Sequence, residues 1–324
     1  MHAGSVIIVT YNSEEHIASC LKALASETGW QIILIDNASV DSTILRARES
    51  GVDVSIVSNR ANVGFAAALN QGAKMATGEV LLILNPDVIV TAGSLSKLAE
   101  IMSQDRVGAA TGMLVTLDGS PAIGFNVRRF PTLGRMLAEA LLINRLWKRN
   151  PFNRQYRCLD LDYGSLQEIE QPAGACLAVK RGVWESLGGF DEAFYPVWFE
   201  DVDFCRRLRL HGWKIIYCPG AVFIHSGGHS VNQLPFYDRQ MFWYRNMLHY
   251  FAKHHSHGET TILRFGVIIG VIVRALLALV GFQPNGVARG EAIRAYSHVL
   301  WHCGLRGERG KTENRNQKVG SFVS

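Results

Sequence analysis

At 324 residues, 48% hydrophobic and 19% charged, the chain can hold one large α/β domain with additions or two modest domains, and it is too apolar to be globally disordered. Its 33 Lys and Arg against 28 Asp and Glu leave a charge of +5, too slight an excess to indicate nucleic acid as a partner. Six scattered cysteines without CxxC or zinc spacing read as free thiols of a reducing compartment, and the apolar run at 5–10 is too short for a signal peptide, so the catalytic part is expected to face the cytosol.

In chain order, strands are predicted at 6–10, 31–35, 54–57 and 80–84. Between them lie predicted helices at 14–26, where Ile17, Leu21 and Leu24 share a face, and at 42–50 and 64–76. Strands alternating with helices, each strand an apolar run rich in β-branched residues, predict a mainly parallel sheet flanked by helices. Ligands of such sheets bind at the carboxyl ends of the strands. The polar residues gather there: Thr10-Tyr11-Asn12, Asp36-Asn37, 59–62, and Asn85-Pro86-Asp87. The middle, 122–171, is irregular and rich in Arg and aromatics, and looks inserted or acceptor-facing. A strand at 175–180, helices at 182–187 and 201–211, and two strands at 214–218 and 222–225 follow. An aromatic-rich helix is predicted at 236–254. Residues 261–282 are almost wholly apolar apart from Arg264 and Arg274, and the tail after Arg306 is polar.

Three clusters carry chemistry. A divalent metal bridging two phosphates needs hard oxygen ligands, and Asp87 stands where a strand-end carboxylate could supply one. Asp36, ending another strand, is placed to accept hydrogen bonds from a base or ribose. A lone Asp at a strand end is most often a turn or cap; two on one sheet edge, beside Thr10-Tyr11-Asn12, say more. Glu200, Asp201 and Asp203 open a predicted helix behind Trp198-Phe199. Acids in a first turn also serve the helix dipole, but against the hydrophobic wall of 194–198 one of them could take a proton from a hydroxyl. His225, before Ser226-Gly227-Gly228-His229-Ser230, offers an imidazole ligand beside glycines that admit phosphate.

These motifs stand in a fixed order. Ile8-Val9-Thr10-Tyr11-Asn12-Ser13 and Ile35-Asp36-Asn37-Ala38-Ser39 come first, then Asn62-Val63-Gly64-Phe65, Leu84-Asn85-Pro86-Asp87-Val88 and Gly174-Ala175-Cys176. Gly188-Gly189-Phe190-Asp191-Glu192 and Glu200-Asp201-Val202-Asp203 complete the series. Over about residues 5–230 the sequence resembles the family 2 inverting glycosyltransferases of GT-A (Rossmann-like) fold, in the rhamnosyltransferase-like branch that builds bacterial polysaccharides. The resemblance implies that Thr10, Tyr11, Asn12 and Asp36 hold base and ribose, and that Asn62 and Gly64 line the nucleotide cleft. Asp87 would be the metal carboxylate of an Asp-x-Asp site whose first position here is the weaker ligand Asn85, and His225 would complete the metal or diphosphate site. Asp201, with Glu200 second, would be the base of an inverting displacement. A divalent cofactor, Mg²⁺ or Mn²⁺, is implied. So are a donor such as dTDP-rhamnose or a UDP-hexose and a lipid-linked saccharide acceptor. The organisation expected is a transferase domain over 1–230 (nucleotide-sugar half 1–120, acceptor half 121–230), a helical membrane-associating region over 231–305, and a polar tail over 306–324.

A sugar nucleotidyltransferase would carry a Gly-rich basic loop after its first strand and a dehydrogenase GxGxxG; this chain reads Thr10-Tyr11-Asn12-Ser13-Glu14-Glu15. A degenerate scaffold would not be expected to keep Asp36, Asp87, Asp201 and His225 together. For the apolar run, Arg274 disfavours a full span by at least about 2.5 kcal/mol. An in-plane or re-entrant helix with Arg264, Arg274 and Arg289 near headgroups fits better, and an ordinary buried helix is the remaining reading. The predicted location is therefore the cytoplasmic face of the inner membrane. The basic excess at 128–157, with Arg128, Arg129, Arg145 and Arg149, reads as a solvated face or as a contact for a diphosphate-linked acceptor.

Overall fold

The computed structural model describes residues 2–227 and 234–305. Strands β1 (Gly4–Thr10), β2 (Trp30–Asp36), β3 (Ser55–Ser58) and β4 (Val80–Leu84) alternate with helices α1 (Ile17–Leu24), α2 (Thr43–Glu49) and α3 (Phe65–Ala73). There follow β5 (Val88–Val90), α4 (Ser94–Met102), β6 (Val107–Val115), β7 (Val127–Arg128), α5 (Leu133–Ala140), α6 (Ile143–Leu146) and α7 (Pro151–Tyr156). Then come β8 (Gln167–Glu168), β9 (Gln171–Pro172), β10 (Cys176–Lys180), α8 (Arg181–Ser186), α9 (Glu200–Leu210) and β11 (Lys214–His225). Three helices end the described chain: α10 (Phe236–His254), α11 (His257–Leu279) and α12 (Arg289–Val299), the last running into a π-helical turn.

One nine-stranded sheet has the order β3-β2-β1-β4-β10-β6-β11-β5, with β8 on the side of β11. In it β1, β2, β3, β4, β6 and β11 point one way and β5, β8 and β10 the other, so the sheet is mixed but mainly parallel. Alternation along the strands divides the core. Val6, Ile8, Leu82 and Leu84 join one apolar cluster, and Ile7, Val9, Leu81 and Ile83 join the cluster on the opposite face. Both faces are dry, which is why these strands read as unbroken apolar runs.

Two sequence expectations change, and one stretch without a prediction is filled. The two strands predicted at 214–218 and 222–225 are one, β11, with an irregular register between Cys218 and Val222; Pro219 there has no N–H to pair. The helix predicted from 261 begins four residues earlier, because Ser256 and Glu259 form a reciprocal capping box. Residues 88–115 held no prediction, yet β6 lies inside the sheet; its sequence VGAATGMLV is made apolar by small side chains rather than by Ile or Leu.

A third cluster, including Met136, Phe194, Phe199, Tyr250, Phe251 and Leu263, fills the space between α5, the approach to α9, and α10–α12. Cys20, Cys158, Cys176, Cys205 and Cys218 are buried and unbridged, as expected for thiols. The predicted polar tail, together with Gly228, His229 and Ser230, lies outside the described residues.

Candidate active site

The register of the parallel strands sets the site. Thr10 pairs with Asp36, and Ile8 with Leu84, so the chain leaves β1, β2 and β4 side by side along one edge. Asp36 is buried there, and much of its acceptor capacity is used by its own chain. Thr10 Oγ1 (2.9 Å) and Ser39 Oγ (2.5 Å) donate to Oδ1, and Ser39 N (3.0 Å) donates to Oδ2. A carboxylate offers about four lone-pair sites, so one direction on Oδ2 is left for a ligand. Asn12, in the left-handed region at φ 48°, joins two loops: its N–H donates to Ser39 Oγ (2.8 Å) and its Oδ1 accepts from Val40 N (2.9 Å). Tyr11 sits half-buried between Thr10 and Asn12.

Asn37 organises the next loop. Its Nδ2 donates to Asn62 Oδ1 (3.1 Å) and Gly64 O (3.2 Å), and its Oδ1 accepts from Asn59 Nδ2 (3.1 Å) and Val63 N (3.2 Å). Asn62 Oδ1 also accepts from Gly64 N at 2.9 Å. Gly64 has φ +87°, and a Cβ there would lie 2.7 Å from the Tyr195 ring, so glycine is required twice over. Phe65 N donates to Pro196 O (2.7 Å) and ties this wall to the chain entering α9.

Asp87 follows the tight turn after β4. Because β5 and β11 are antiparallel with Val88 opposite His225, the two side chains meet, with His225 Nε2 3.4 Å from Asp87 Oδ1. Both are buried, and at that separation the two touch without a formed hydrogen bond: His225 Nε2 has no hydrogen-bond partner. Burial pushes Asp87 up, but the His225 imidazole, the Asp87 backbone amide and His16 outweigh it and hold the carboxyl below its usual range. Below them Cys20 Sγ approaches Asn85 O at 3.9 Å; burial, with the Asp87 charge, pushes this thiol to about 12, so it stays neutral. Among the described residues no three His, Cys, Asp or Glu side chains group to enclose a metal. An orphaned buried imidazole nitrogen beside an ionised carboxylate does fit an open divalent site, in which a diphosphate and water supply the remaining oxygens.

The acids at 200–203 are not caps. The N-cap of α9 is Phe199, which makes no side-chain cap bond, and Trp198 (φ 77°) and Phe199 (φ 74°) are both left-handed. Such backbone costs on the order of 1–3 kcal/mol per residue. It is held by the buried Asn246 of α10, whose Nδ2 donates to Val197 O (2.8 Å), Trp198 O (3.3 Å) and Tyr195 O (3.3 Å). Asp201 accepts from Gly174 N at Oδ2 (2.9 Å) and from Val202 N at Oδ1 (2.8 Å). Desolvation raises its pKa against those two amides and the Arg128 charge. Glu200 is buried, its Oε2 has no partner, and burial followed by the Asp201 charge raises its pKa well above normal. Asp203 is fully buried and meets Arg207 Nε (2.8 Å), Lys253 Nζ (2.8 Å) and His254 Nε2 (2.7 Å).

The two ends of the site are adjacent. Asp201 is bonded to Gly174, the next residue Ala175 accepts from Asn85 N (3.0 Å), and Cys176 pairs with Leu84. Phe125 stacks on His225 with ring centroids 5.2 Å apart, and Arg128, which acts electrostatically on Asp201, packs over Phe125 and Tyr156. The irregular middle therefore roofs the site. Its Arg129 forms a bidentate pair with Asp160 (2.9 and 2.8 Å) and is engaged within the fold. Sequence reasoning missed Asn37 as an organiser, Phe125, and Asn246; Asn37 was visible as a second polar residue at a strand end, whereas the other two carry no local signal.

The model of the family described as "Glycosyl transferase family 2" matches residues 5–161. The chain is 33% identical over 248 residues to the N-acetylglucosaminyl-diphospho-decaprenol L-rhamnosyltransferase of Mycobacterium tuberculosis, covering 71% of this chain and 78% of that one. It is 25% identical over 258 residues to the rhamnosyltransferase WbbL of Escherichia coli K12, covering 76% of this chain and 92% of that one. The mannosyltransferase of Pyrobaculum calidifontis, solved with GDP-Man and Mn²⁺, has the same fold at a TM-score of 0.53 and 19% identity, covering 92% of this chain and 79% of that one.

Proposed function

Because the chain belongs to glycosyl transferase family 2, we propose that it transfers L-rhamnose from dTDP-rhamnose to a lipid-linked saccharide, with inversion, in the assembly of a cell-surface polysaccharide. A UDP-hexose is the alternative donor. The donor and acceptor classes rest on likeness to relatives named as rhamnosyltransferases, one for a decaprenol-linked substrate. The reaction class rests on one observation: a carboxylate held by two backbone amides, Asp201, stands one strand pair away from the Asp87–His225 pair.

In this reading Thr10, Tyr11, Asn12 and Asp36 receive the nucleoside, Asn62 and Gly64 shape its wall, and Asn85 lies beside the diphosphate. Asp87 and His225 hold Mg²⁺ or Mn²⁺, which when bound offsets negative charge on the leaving diphosphate. Asp201 accepts the proton of the acceptor hydroxyl, whose oxygen attacks the anomeric carbon from the face opposite the diphosphate; the C1–O bond to the phosphate breaks as the new glycosidic bond forms. Its two amide bonds fix the carboxylate's direction, and a raised pKa makes it a stronger base than an exposed Asp. Glu200, buried and protonated over a wider pH range, is the less suited base. We assign the nucleotide-sugar half to 1–120, the acceptor half to 121–230 and a membrane-associating region to 231–305, at the cytoplasmic face of the inner membrane.

The test is a donor-hydrolysis screen in mild detergent with dTDP-rhamnose, UDP-glucose, UDP-galactose and UDP-GlcNAc, each with Mn²⁺, Mg²⁺ or EDTA. The reading expects slow metal-dependent release of dTDP, absent in Asp87→Ala. Release of UDP alone would replace the donor, and no binding of any nucleotide sugar by calorimetry would refute the transferase reading.

A further inference from the structure

Helix α11 is the one helix among the described residues long and apolar enough to cross a membrane by length and composition. Its two sides differ. Leu263, Gly266, Val267 and Gly270 are buried against the protein, and glycine at 266 and 270 lets α5 approach closely: a Cβ at 266 would overlap the Leu137 side chain, and one at 270 the Ala140 carbonyl. Arg274, on the same side, donates to Ala140 O and Glu139 O (3.0 Å for the latter), capping the end of α5. This corrects the expectation that Arg274 extends to headgroups. Opposite, Ile262, Phe265, Ile269, Ile272, Leu276 and Leu279 recur every three or four residues and are each 41–61% exposed. The stripe is about 26 Å long at 1.5 Å per residue, and Val280 and Phe282 continue it. A soluble surface seldom carries such a patch without a partner.

The neighbouring surface carries charge. Residues 145–157, RLWKRNPFNRQYR, contain Arg145, Lys148, Arg149, Arg154 and Arg157 and no acid, and all five cations are exposed, as are Leu146, Trp147 and Phe152. The segment begins just beyond the α5 terminus that Arg274 caps, so it stands at the end of α5 that packs on α11. It is built rather than loose. Glu139 Oε2 accepts from Asn144 Nδ2 (2.8 Å), Asn144 Oδ1 accepts from Asn150 Nδ2 (2.8 Å), and Asn150 Nδ2 also donates to Trp147 O (2.7 Å).

We propose that the outer stripe of α11 and the basic, aromatic segment 145–157 form one face that seats the protein on an anionic lipid bilayer, with α11 lying in the plane of the surface. A spanning α11 would draw α5, with its Arg135 and Glu139, into hydrocarbon, whereas an in-plane helix needs one apolar face and has one. Exposed cations beside an apolar stripe match anionic headgroups; a second copy of the chain would present the same positive charge. The inference deepens the membrane partner of the proposed function and rests on that reading only in taking the acceptor to be lipid-borne.

The test is flotation of the full chain, diluted from detergent, with vesicles of phosphatidylcholine alone or mixed with phosphatidylglycerol. Binding should favour the mixed vesicles. Lys148→Glu with Arg149→Glu should lower that affinity by at least about fivefold per cation lost, and Ile269→Asn with Leu276→Asn by at least about tenfold per side chain. Donor hydrolysis in micelles should be unchanged in both variants, so a failure of the transferase reading shows separately. Binding indifferent to anionic lipid, or to both variants, overturns the proposal. So does a dimer in light scattering that Ile269→Asn dissociates while vesicle binding is absent.

Discussion

Asp203→Asn should destabilise the protein by about 2.5 kcal/mol at neutral pH while sparing catalysis. The side chain has no solvent exposure, and two cations, Arg207 and Lys253, and the His254 imidazole converge on it from α9 and α10. Burial alone would raise its pKa; the His254 bond, the Arg207 charge and Lys253 reverse that and hold it at about 2, against 3.8 for a free Asp. At about 1.4 kcal/mol per unit, the displacement gives the figure of about 2.5 kcal/mol. It falls below the roughly 3–5 kcal/mol typical of breaking a buried pair, and for a visible reason. Without the charge, Lys253 keeps Asp191 at 2.6 Å, and Arg207 keeps the carbonyls of Leu187 (2.7 Å) and Gly189 (2.8 Å). A carboxylate with a depressed folded-state pKa contributes stability that is fully present above the unfolded value and is lost as pH falls from about 3.8 towards about 2. Urea unfolding across pH 7 to 3 should show a constant gap between the two proteins down to about pH 5, narrowing below pH 4. A gap unchanged at pH 3, or a thousandfold loss of donor hydrolysis at unchanged stability, would refute the assignment of Asp203 as a tie between α9 and α10.

Three further substitutions separate the neighbouring roles. Asp201→Asn should lower the transfer rate by about a hundred- to ten-thousandfold with little change in KM, measured by nucleoside diphosphate release with acceptor present. Glu200→Gln should stabilise the protein at neutral pH, by an amount that grows as pH rises above 4.5. The raised pKa keeps the folded state protonated while the unfolded chain ionises, so wild-type stability falls through that window and the amide's does not; thermal unfolding at pH 4.5 and pH 8 reads the difference. Gly174→Ala would set a Cβ 3.0 Å from Asp201 Oδ2, and a shift of a few tenths of an ångström there should cost about tenfold in kcat, with thermal stability nearly intact.

The strand-end side of the candidate site was legible because in a parallel sheet the chemistry stands where strands end. Apolar runs ending in Thr10, Asp36 and Asn85-Pro86-Asp87 locate it without any tertiary knowledge. The Asp201 side of the candidate site is made by contacts that no local pattern announces. Asp201 reaches Gly174 across 27 residues, and His254 reaches Asp203 across 51. Asn246 is one polar residue in an aromatic helix, and its role exists only because Trp198 and Phe199 need their carbonyls held. The strand β6 escaped notice because Gly and Ala weaken the apolar signal where Trp213 and Phe223 crowd against Gly108 and Gly112. In α11 the pattern of hydropathy left span, surface helix and buried helix open; Gly266 and Gly270, four apart on one side, were the sequence's own sign that a neighbouring helix closes that side.

Three acids within four residues could have been a helix start answering its dipole, and the structure separates that reading from a chemical one. A dipole cap needs only exposed carboxylates near free N–H groups. Here Asp203 is held by Arg207, Lys253 and the His254 imidazole, Glu200 is buried with an orphaned oxygen, and Asp201 is turned towards the strand pair that carries Asp87. The backbone ahead of them is left-handed at two aromatic residues, a conformation unfavourable unless something beyond local stability requires it. What it achieves is direction: by reversing the chain at Trp198 and Phe199 it brings Asp201 to Gly174 instead of leaving it on the outer surface of α9. The strain, the buried acids and the Asn246 clamp therefore form one arrangement, and it is one that suits the proton-removing role proposed for Asp201.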